Sequence, residues 1–238
     1  MKCTHWRRDL LLLLALCTSG FAHAESERIG LVLGGGGARG AAHIGVLKVL
    51  ERERIPIHAI TGTSVGSIVG GLYAAGYSPD EIERAIGSID WIDIFHDGTA
   101  RRERPMRQKE TDIGIVANLE VGLHDGNLRF PTTLVRGQKL GLWLRRMFLG
   151  RGNVESFNDL PIPFRCVATD IGEVKPVVFQ SGDLALAVRA SMAVPGAFAP
   201  VKHDGRTLVD GGIVNNIPID VAREMGVDRV IVVDVGQP

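Results

Sequence analysis

Covalent reinforcement and charge of one sign are both scarce in this 238-residue sequence. Of its three cysteines only Cys166 lies beyond residue 24, so a processed, exported chain has no internal disulfide to rely on. Its stability has to come from an apolar core. The formal net charge is zero, and without residues 1–24 it is −2, from 24 basic and 26 acidic residues. Nucleic-acid binders usually carry a clear basic excess, so that partner class is excluded. A membrane-spanning helix needs roughly 20 apolar residues; the leucine-rich run at residues 10–17 is far too short. Paired histidines or cysteines at zinc spacing are missing, as is an EF-hand loop, so no metal or other cofactor is expected.

What the N-terminus does contain is a basic start (Lys2, Arg7, Arg8), a leucine-rich centre and the small-residue pattern Ala22-His23-Ala24. These features predict a signal peptide cleaved after Ala24. Arg7-Arg8 matches a twin-arginine signal only loosely, and Leu16 is too large to precede a lipidated Cys17, so the general secretory route is expected. The product would be periplasmic, outer-membrane-associated or secreted. About 214 residues remain, enough for one sizeable domain at 25–238. The sequence stops at Pro238 directly after a strand-like run, so a longer polypeptide is expected. The cluster RRERPMRQK at 101–109 reads as a solvated loop, with anionic lipid headgroups as the alternative contact.

Short β-rich runs alternate with helical ones, which predicts an α/β fold with a largely parallel sheet. RIGLVLG and HAITGT read as strands. Between them, Ala41, Ile44, Leu47 and Leu50 recur at helical spacing in residues 41–54. Ser78, Pro79 and Glu81 form a capping-box pattern that starts another helix. Residues 166–180 read as two strands joined around Gly172 and 184–193 as a helix. TLVDGGI and RVIVVDVG read as further strands, linked by a helix that Gly226 closes. Two apolar stretches, WIDIF at 91–95 and GLWLRRMFL at 141–149, have two readings: core packing, or a lipid-facing surface carrying Trp143, Leu144, Met147 and Phe148.

The chemistry centres on Gly62-Thr63-Ser64-Val65-Gly66, a G-x-S-x-G string at a strand-to-helix junction. Such a turn projects the serine oxygen from the sheet, and the glycines Gly62 and Gly66 let neighbouring backbone approach. The following helix aims its positive end at the serine. Ser64 is therefore a candidate nucleophile. Acyl transfer also needs donors for an oxyanion, and the glycine-rich turn LGGGGARGAAH supplies backbone N–H groups unobstructed by side chains. Residues 35–40 also fit G-x-G-x-x-G, but the second strand ends without the acidic residue that a dinucleotide site requires. A serine needs a base. His43, His58, His96, His124 and His203 all precede Asp210, so the Ser, acid, His order does not fit. A carboxylate is the alternative. Asp170 and Asp234 also end strand-like runs, where turn capping or ion pairing explains them; Asp210 alone is followed by paired glycines.

GGGARG, GTSVG and DGG in that order, with SMAVPGAFAPV and NNIP around the last, resemble the patatin-like phospholipase family, in particular its bacterial exported members. The resemblance covers residues 29–234. It implies a three-layer α/β/α fold and a Ser64/Asp210 dyad. It also implies an oxyanion hole in the loop Gly35, Gly36, Gly37, Ala38, Arg39 and Gly40, with Arg39 at the basic position. By that analogy Pro195 and Phe198 would lie beside the site, whereas as bare sequence they read as core, and the domain would be the passenger of a larger outer-membrane protein. The expected activity is hydrolysis of phospholipid or other lipid ester, of the phospholipase A or lysophospholipase type, with transient contact to a membrane surface. The contrasting expectation is a nucleotide- or lipid-binding module without turnover.

Overall fold

A computed structural model describes residues 27–94, 122–124, 127–129, 135–150 and 154–236. The leader at 1–24, the basic cluster at 101–109, Phe95 and His96 lie outside them. Strand β1 (Ile29–Leu33) and strand β2 (Ala59–Thr63) pair in parallel, with Gly30 opposite Ala59 and Leu33 opposite Gly62. Helix α1 (Ala41–Arg52) connects them, as the alternation predicts. Its buried stripe is His43, Ile44, Leu47 and Leu50; Ala41, expected on that face, is exposed.

After β2 come α2 (Val65–Ala74), α3 (Pro79–Gly87) and the single turn α4 (Trp91–Ile94). The capping box on α3 forms: Glu81 N donates to Ser78 Oγ at 3.3 Å and Ser78 N donates to Glu81 Oε2 at 2.8 Å. Strands β3 (Gly122–His124) and β4 (Asn127–Arg129) make a separate antiparallel pair. Next come α5 (Gln138–Phe148), β5 (Phe164–Asp170), β6 (Lys175–Phe179) and α6 (Leu184–Ser191). Strands β7 (Val201–His203) and β8 (Arg206–Asp210), helix α7 (Ile219–Glu224) and strand β9 (Arg229–Val233) complete the order.

The main sheet has seven strands, traced β7-β8-β5-β2-β1-β9, with β6 also on β5. Strands β9, β1, β2 and β5 are mutually parallel. Strands β6 and β8 run against these four, while β7, antiparallel to β8, runs with them; the β5–β6 and β7–β8 connections are too short for a crossover. The sheet is thus more mixed than the alternating pattern implies.

Alternation along the strands separates two faces. Leu31, Leu33 and Ile60 enter the main core with Ile68, Leu72, Leu140, Leu144 and Phe148. On the opposite face, a Cβ at Gly30 would press into Val227, and Thr61 Oγ1 donates to Pro218 O at 3.1 Å, where α7 begins. Helices therefore cover both faces, the α/β/α layering expected. Each fully buried leucine contributes about 1.5–3 kcal/mol relative to exposure, which replaces the missing disulfides. Core packing also decides the reading of GLWLRRMFL. Leu144 and Phe148 are buried in the core, and Trp143 and Met147 pack half-buried against it. The exposed apolar side chains of that stretch are instead Leu142 and Leu149.

Candidate active site

Ser64 sits between β2 and α2 with φ 56° and ψ −126°. Few residues other than glycine adopt that backbone, and holding it costs on the order of 1–3 kcal/mol. Neighbours hold it. Ser64 N donates to Ser191 Oγ at 3.0 Å, and Ser191 Oγ donates onward to Val167 O at 2.6 Å. Ser64 O accepts from Ser67 Oγ at 2.6 Å and from Ser67 N at 2.9 Å. The flanking glycines serve close approach, since a Cβ on Gly62 would strike the Gly66 carbonyl and one on Gly66 the Leu33 carbonyl.

Strand register brings Asp210 to this serine. Strand β6 occupies one edge of β5, pairing with Cys166 through Asp170. The other edge is shared: Val167 pairs with Thr63 of β2, and Ala168, the next residue, pairs with Asp210 of β8. Because β2 runs with β5 and β8 against it, their ends meet head to head, one residue before Ser64 and at Asp210. A Cβ on Gly211 would collide with the Val167 carbonyl, so the turn after Asp210 tolerates only glycine there. Asp210 is anchored by Asp210 N donating to Ala193 O at 2.9 Å and by Thr169 Oγ1 donating to Asp210 O at 2.9 Å.

Both candidate side chains are nearly enclosed, Ser64 at 7% and Asp210 at 6% exposure. Asp210 Oδ1 accepts from Gly212 N at 2.7 Å. Oδ2 is buried without a partner in hydrogen-bonding geometry among the described residues, while the Ser64 hydroxyl stands close enough to act on the carboxyl's proton affinity. Burial pushes the Asp210 carboxyl above the usual carboxylate range, and the nearby Ser64 hydroxyl and the bond from Gly212 N offset part of that. The pair can move a proton: a desolvated carboxylate oxygen beside a hydroxyl held at a strained turn.

The glycine loop closes the other side. A Cβ on Gly35 would lie 2.6 Å from Asn216 Oδ1 and 2.9 Å from Ser64 Cβ, and one on Gly36 would meet the Val235 carbonyl. Gly37 has φ +60° and opens a 3-10 turn, Gly37–Gly40, whose first N–H groups have no acceptor inside the turn. Asn216 grips the loop, with Gly35 N donating to Oδ1 at 3.1 Å and Nδ2 donating to Gly35 O at 3.2 Å. Gly35, Gly36, Gly37 and Arg39 line one cavity with Ser64 and Asp210, of about 430 Å³. Ala38 and Gly40 belong to the turn without lining it; Gly40 packs on Val65. Val194, Pro195 and Ile213 form an apolar rim. Pro195 lies beside the site, as the resemblance implies, and Phe198 is core, as its bare sequence reads, with the Arg189 guanidinium 5.1 Å from its ring centre.

His43, His58 and His203 are engaged elsewhere. His43 Nε2 donates to Gly34 O at 2.8 Å, His58 Nδ1 accepts from Ile29 N at 3.0 Å, and His203 stacks near Phe179. Asp170 and Asp234 cap turns, accepting from Gly172 N at 2.9 Å and Gly236 N at 2.8 Å. Among the described residues, no cluster of three or more His, Cys, Asp or Glu side chains converges. Sequence reasoning did not single out Asn216, Ser191, Ser67 and Thr169 as site residues. Two of them lie within SMAVPGAFAPV and NNIP, strings that stood out without a stated role.

The patatin-like phospholipase family model matches residues 31–223. Patatin-like phospholipase domain-containing protein 6 of Homo sapiens is 37% identical over 211 residues, covering 87% of this chain and 13% of that protein. Lysophospholipase NTE1 of Mycosarcoma maydis is 37% identical over 208 residues, covering 87% of this chain and 10% of that one. Both relatives are eukaryotic, not the bacterial kin that the motifs suggest, and the chain spans only a small part of their length. The solved structure of VipD from Legionella pneumophila superimposes with a TM-score of 0.53 at 20% identity, over 87% of this chain and 49% of that one, a likeness of fold. Together with the glycine loop, the serine elbow and the aspartate turn that meet at one cavity, the match shows that the chain belongs to the patatin-like phospholipase family.

Proposed function

We propose that the domain hydrolyses carboxylic esters of lipids, of the phospholipase A or lysophospholipase type, through a Ser64/Asp210 dyad. The observation that carries this reading is the head-to-head meeting of β2 and β8, which sets a buried, partly unpartnered carboxylate beside a serine on a strained turn. As Ser64 Oγ bonds to the acyl carbon, its proton passes to Asp210 Oδ2 and the carbonyl electrons move onto oxygen. Backbone N–H groups of Gly36, Gly37 and Ala38 receive that oxyanion, and Arg39 adds positive charge nearby. Collapse breaks the ester bond. The departing alkoxide takes the proton from Asp210, leaving an acyl-serine. Water then attacks that ester with Asp210 again as base, releasing the fatty acid and restoring Ser64.

The apolar rim of Val194, Pro195 and Ile213 suits an acyl chain and brief contact with a membrane surface. The name lysophospholipase carried by one relative supports the lipid class. We further propose export by a leader at residues 1–24, with the domain periplasmic, outer-membrane-associated or secreted, as a passenger of a larger protein. Expression of the full chain in a bacterial host followed by N-terminal sequencing should find the mature protein starting at Glu25; an intact Met1 on all of the protein would reject export.

A fluorophosphonate probe should label the wild type and not Ser64→Ala. Asp210→Asn should lower kcat about 10²–10⁴-fold on a soluble ester with its circular dichroism unchanged. A wild type that ignores the probe and turns over no ester would favour the binding-module reading instead.

A further inference from the structure

The glycine loop raises a physical difficulty. Four consecutive glycines, Gly34 to Gly37, sample both signs of φ almost equally, yet oxyanion donors must point in one direction before the charge appears. A freely turning peptide would spend much of its time with its N–H aimed elsewhere.

Two side chains from distant parts of the chain hold one peptide unit of this loop. The carbonyl of Gly34 accepts from His43 Nε2 at 2.8 Å. The N–H on the other side of the same peptide bond, that of Gly35, donates to Asn216 Oδ1 at 3.1 Å. Asn216 Nδ2 then donates to Gly35 O at 3.2 Å, so the next unit is held too. Flipping the Gly34–Gly35 peptide would break the His43 bond and the Asn216 bond together.

Both holders are themselves fixed. His43 is fully buried on α1, and its Nδ1 has no partner among the described residues. A buried nitrogen left unpaired is unfavourable, and an apolar residue of similar size would fill the space without it; what the imidazole provides is its single bond to Gly34. Asn216 lies in a segment tied to β2 by Thr63 Oγ1 donating to Asn215 O at 3.0 Å and Thr61 Oγ1 donating to Pro218 O at 3.1 Å. Its Oδ1 also lies where a Cβ on Gly212 would come within 2.9 Å, beside the turn that bonds Asp210.

Resting on the acyl-hydrolase reading, we propose that His43 and Asn216 are positioning residues that lock the Gly34–Gly35 peptide, and so aim the N–H groups of Gly36 and Gly37 at the oxyanion. Neither touches the reacting atoms. Their loss acts on the transition state more than on bound ester, so it lowers kcat and leaves KM almost unchanged.

The test measures kcat and KM on a soluble ester for His43→Leu, His43→Gln, Asn216→Ala and the double variant His43→Leu/Asn216→Ala, beside wild type and Ser64→Ala. His43→Leu and Asn216→Ala should each lower kcat about 10- to 100-fold, less than the roughly 10²–10³-fold cost of deleting an oxyanion donor, with KM within about threefold. Gln at 43 restores an N–H donor and should recover kcat to within about fivefold of wild type. The double variant should lose less than the product of the single losses, because both residues hold one peptide. Folded His43→Leu and Asn216→Ala variants with wild-type kcat would overturn the proposal. So would a Gln variant as slow as the Leu variant, or losses that multiply. If His43→Leu does not fold, Asn216→Ala and His43→Gln decide it: an unchanged kcat in Asn216→Ala, or a Gln variant slowed 10-fold or more, rejects the lock. Turnover by Ser64→Ala equal to wild type is a separate result, and it would reject the dyad itself.

Discussion

At the scale of single residues, Asp210 combines two demands that oppose each other. Burial strengthens it as a base and at the same time makes its ionised form costly to the fold. Its folded pKa lies above the unfolded value of 3.8, so its protonated form contributes stability that is fully present below that value and lost as pH rises through the folded pKa. Asp210→Asn should therefore be more thermostable than wild type at pH 8, with the gap closing toward pH 4. Each kcal/mol relieved should appear as about 2–4 °C in Tm, and a Tm gap that widens on acidification would contradict this sign. Activity runs the other way. The acid limb of kcat/KM should fall through the same raised pKa, above 3.8, because protonated Asp210 cannot accept the Ser64 proton; a pH profile on a soluble ester measures it. His43 has the opposite shift, burial lowering its pKa more than its bond to Gly34 raises it. Protonation of the unfolded chain thus removes stability as pH falls below 6.5 toward the folded value.

At the scale of elements, glycines separate into those that backbone contact requires and those it does not. Gly66 opens α2 against the Leu33 carbonyl, so Gly66→Ala should lower unfolding free energy by about 1–3 kcal/mol and impair turnover. Gly45 is exposed within α1 and a Cβ there meets nothing, so Gly45→Ala should stabilise by about 0.5–1 kcal/mol. Urea titrations read both, and equal signs would refute the packing account. Helix α5 offers a second contrast. Leu144→Ala should cost about 2–5 kcal/mol, because Leu144 is wholly buried, while Leu142→Ser on the exposed side should stay within about 0.5 kcal/mol.

At the scale of the molecule, the sheet is a frame that stops two strands at one point. Among the described residues no helix is long and apolar enough to cross a membrane. The proposed contact with a lipid surface falls to the cavity rim, where Val194 and Ile213 are exposed at 39% and 53%. Each proposed chemical step runs through Ser64, Asp210 and backbone donors, and direct serine attack needs no Lewis acid. Hydrolysis of a soluble ester should therefore be unchanged by a chelator; activity that vanishes in chelator and returns with calcium would overturn that expectation.

The sequence by itself determined the parts whose constraints are local. The serine elbow, the capping box at Ser78 and the strand, helix, strand unit of β1, α1 and β2 are legible because their spacings and turn residues act within a few positions of one another. The glycines were legible as letters, and their reasons became visible only against the carbonyls they approach. Tertiary structure alone decided which side of α5 is buried, which strands turn antiparallel, and that β2 and β8 end against adjacent residues of β5. It also decided that Asn216, 181 positions from Gly35, holds the loop, and that Ser191, 127 positions from Ser64, holds the elbow. A polar side chain leaves little trace in periodicity or spacing when its partner is a backbone group in another strand connection. Its role exists only once the sheet has set the two connections side by side.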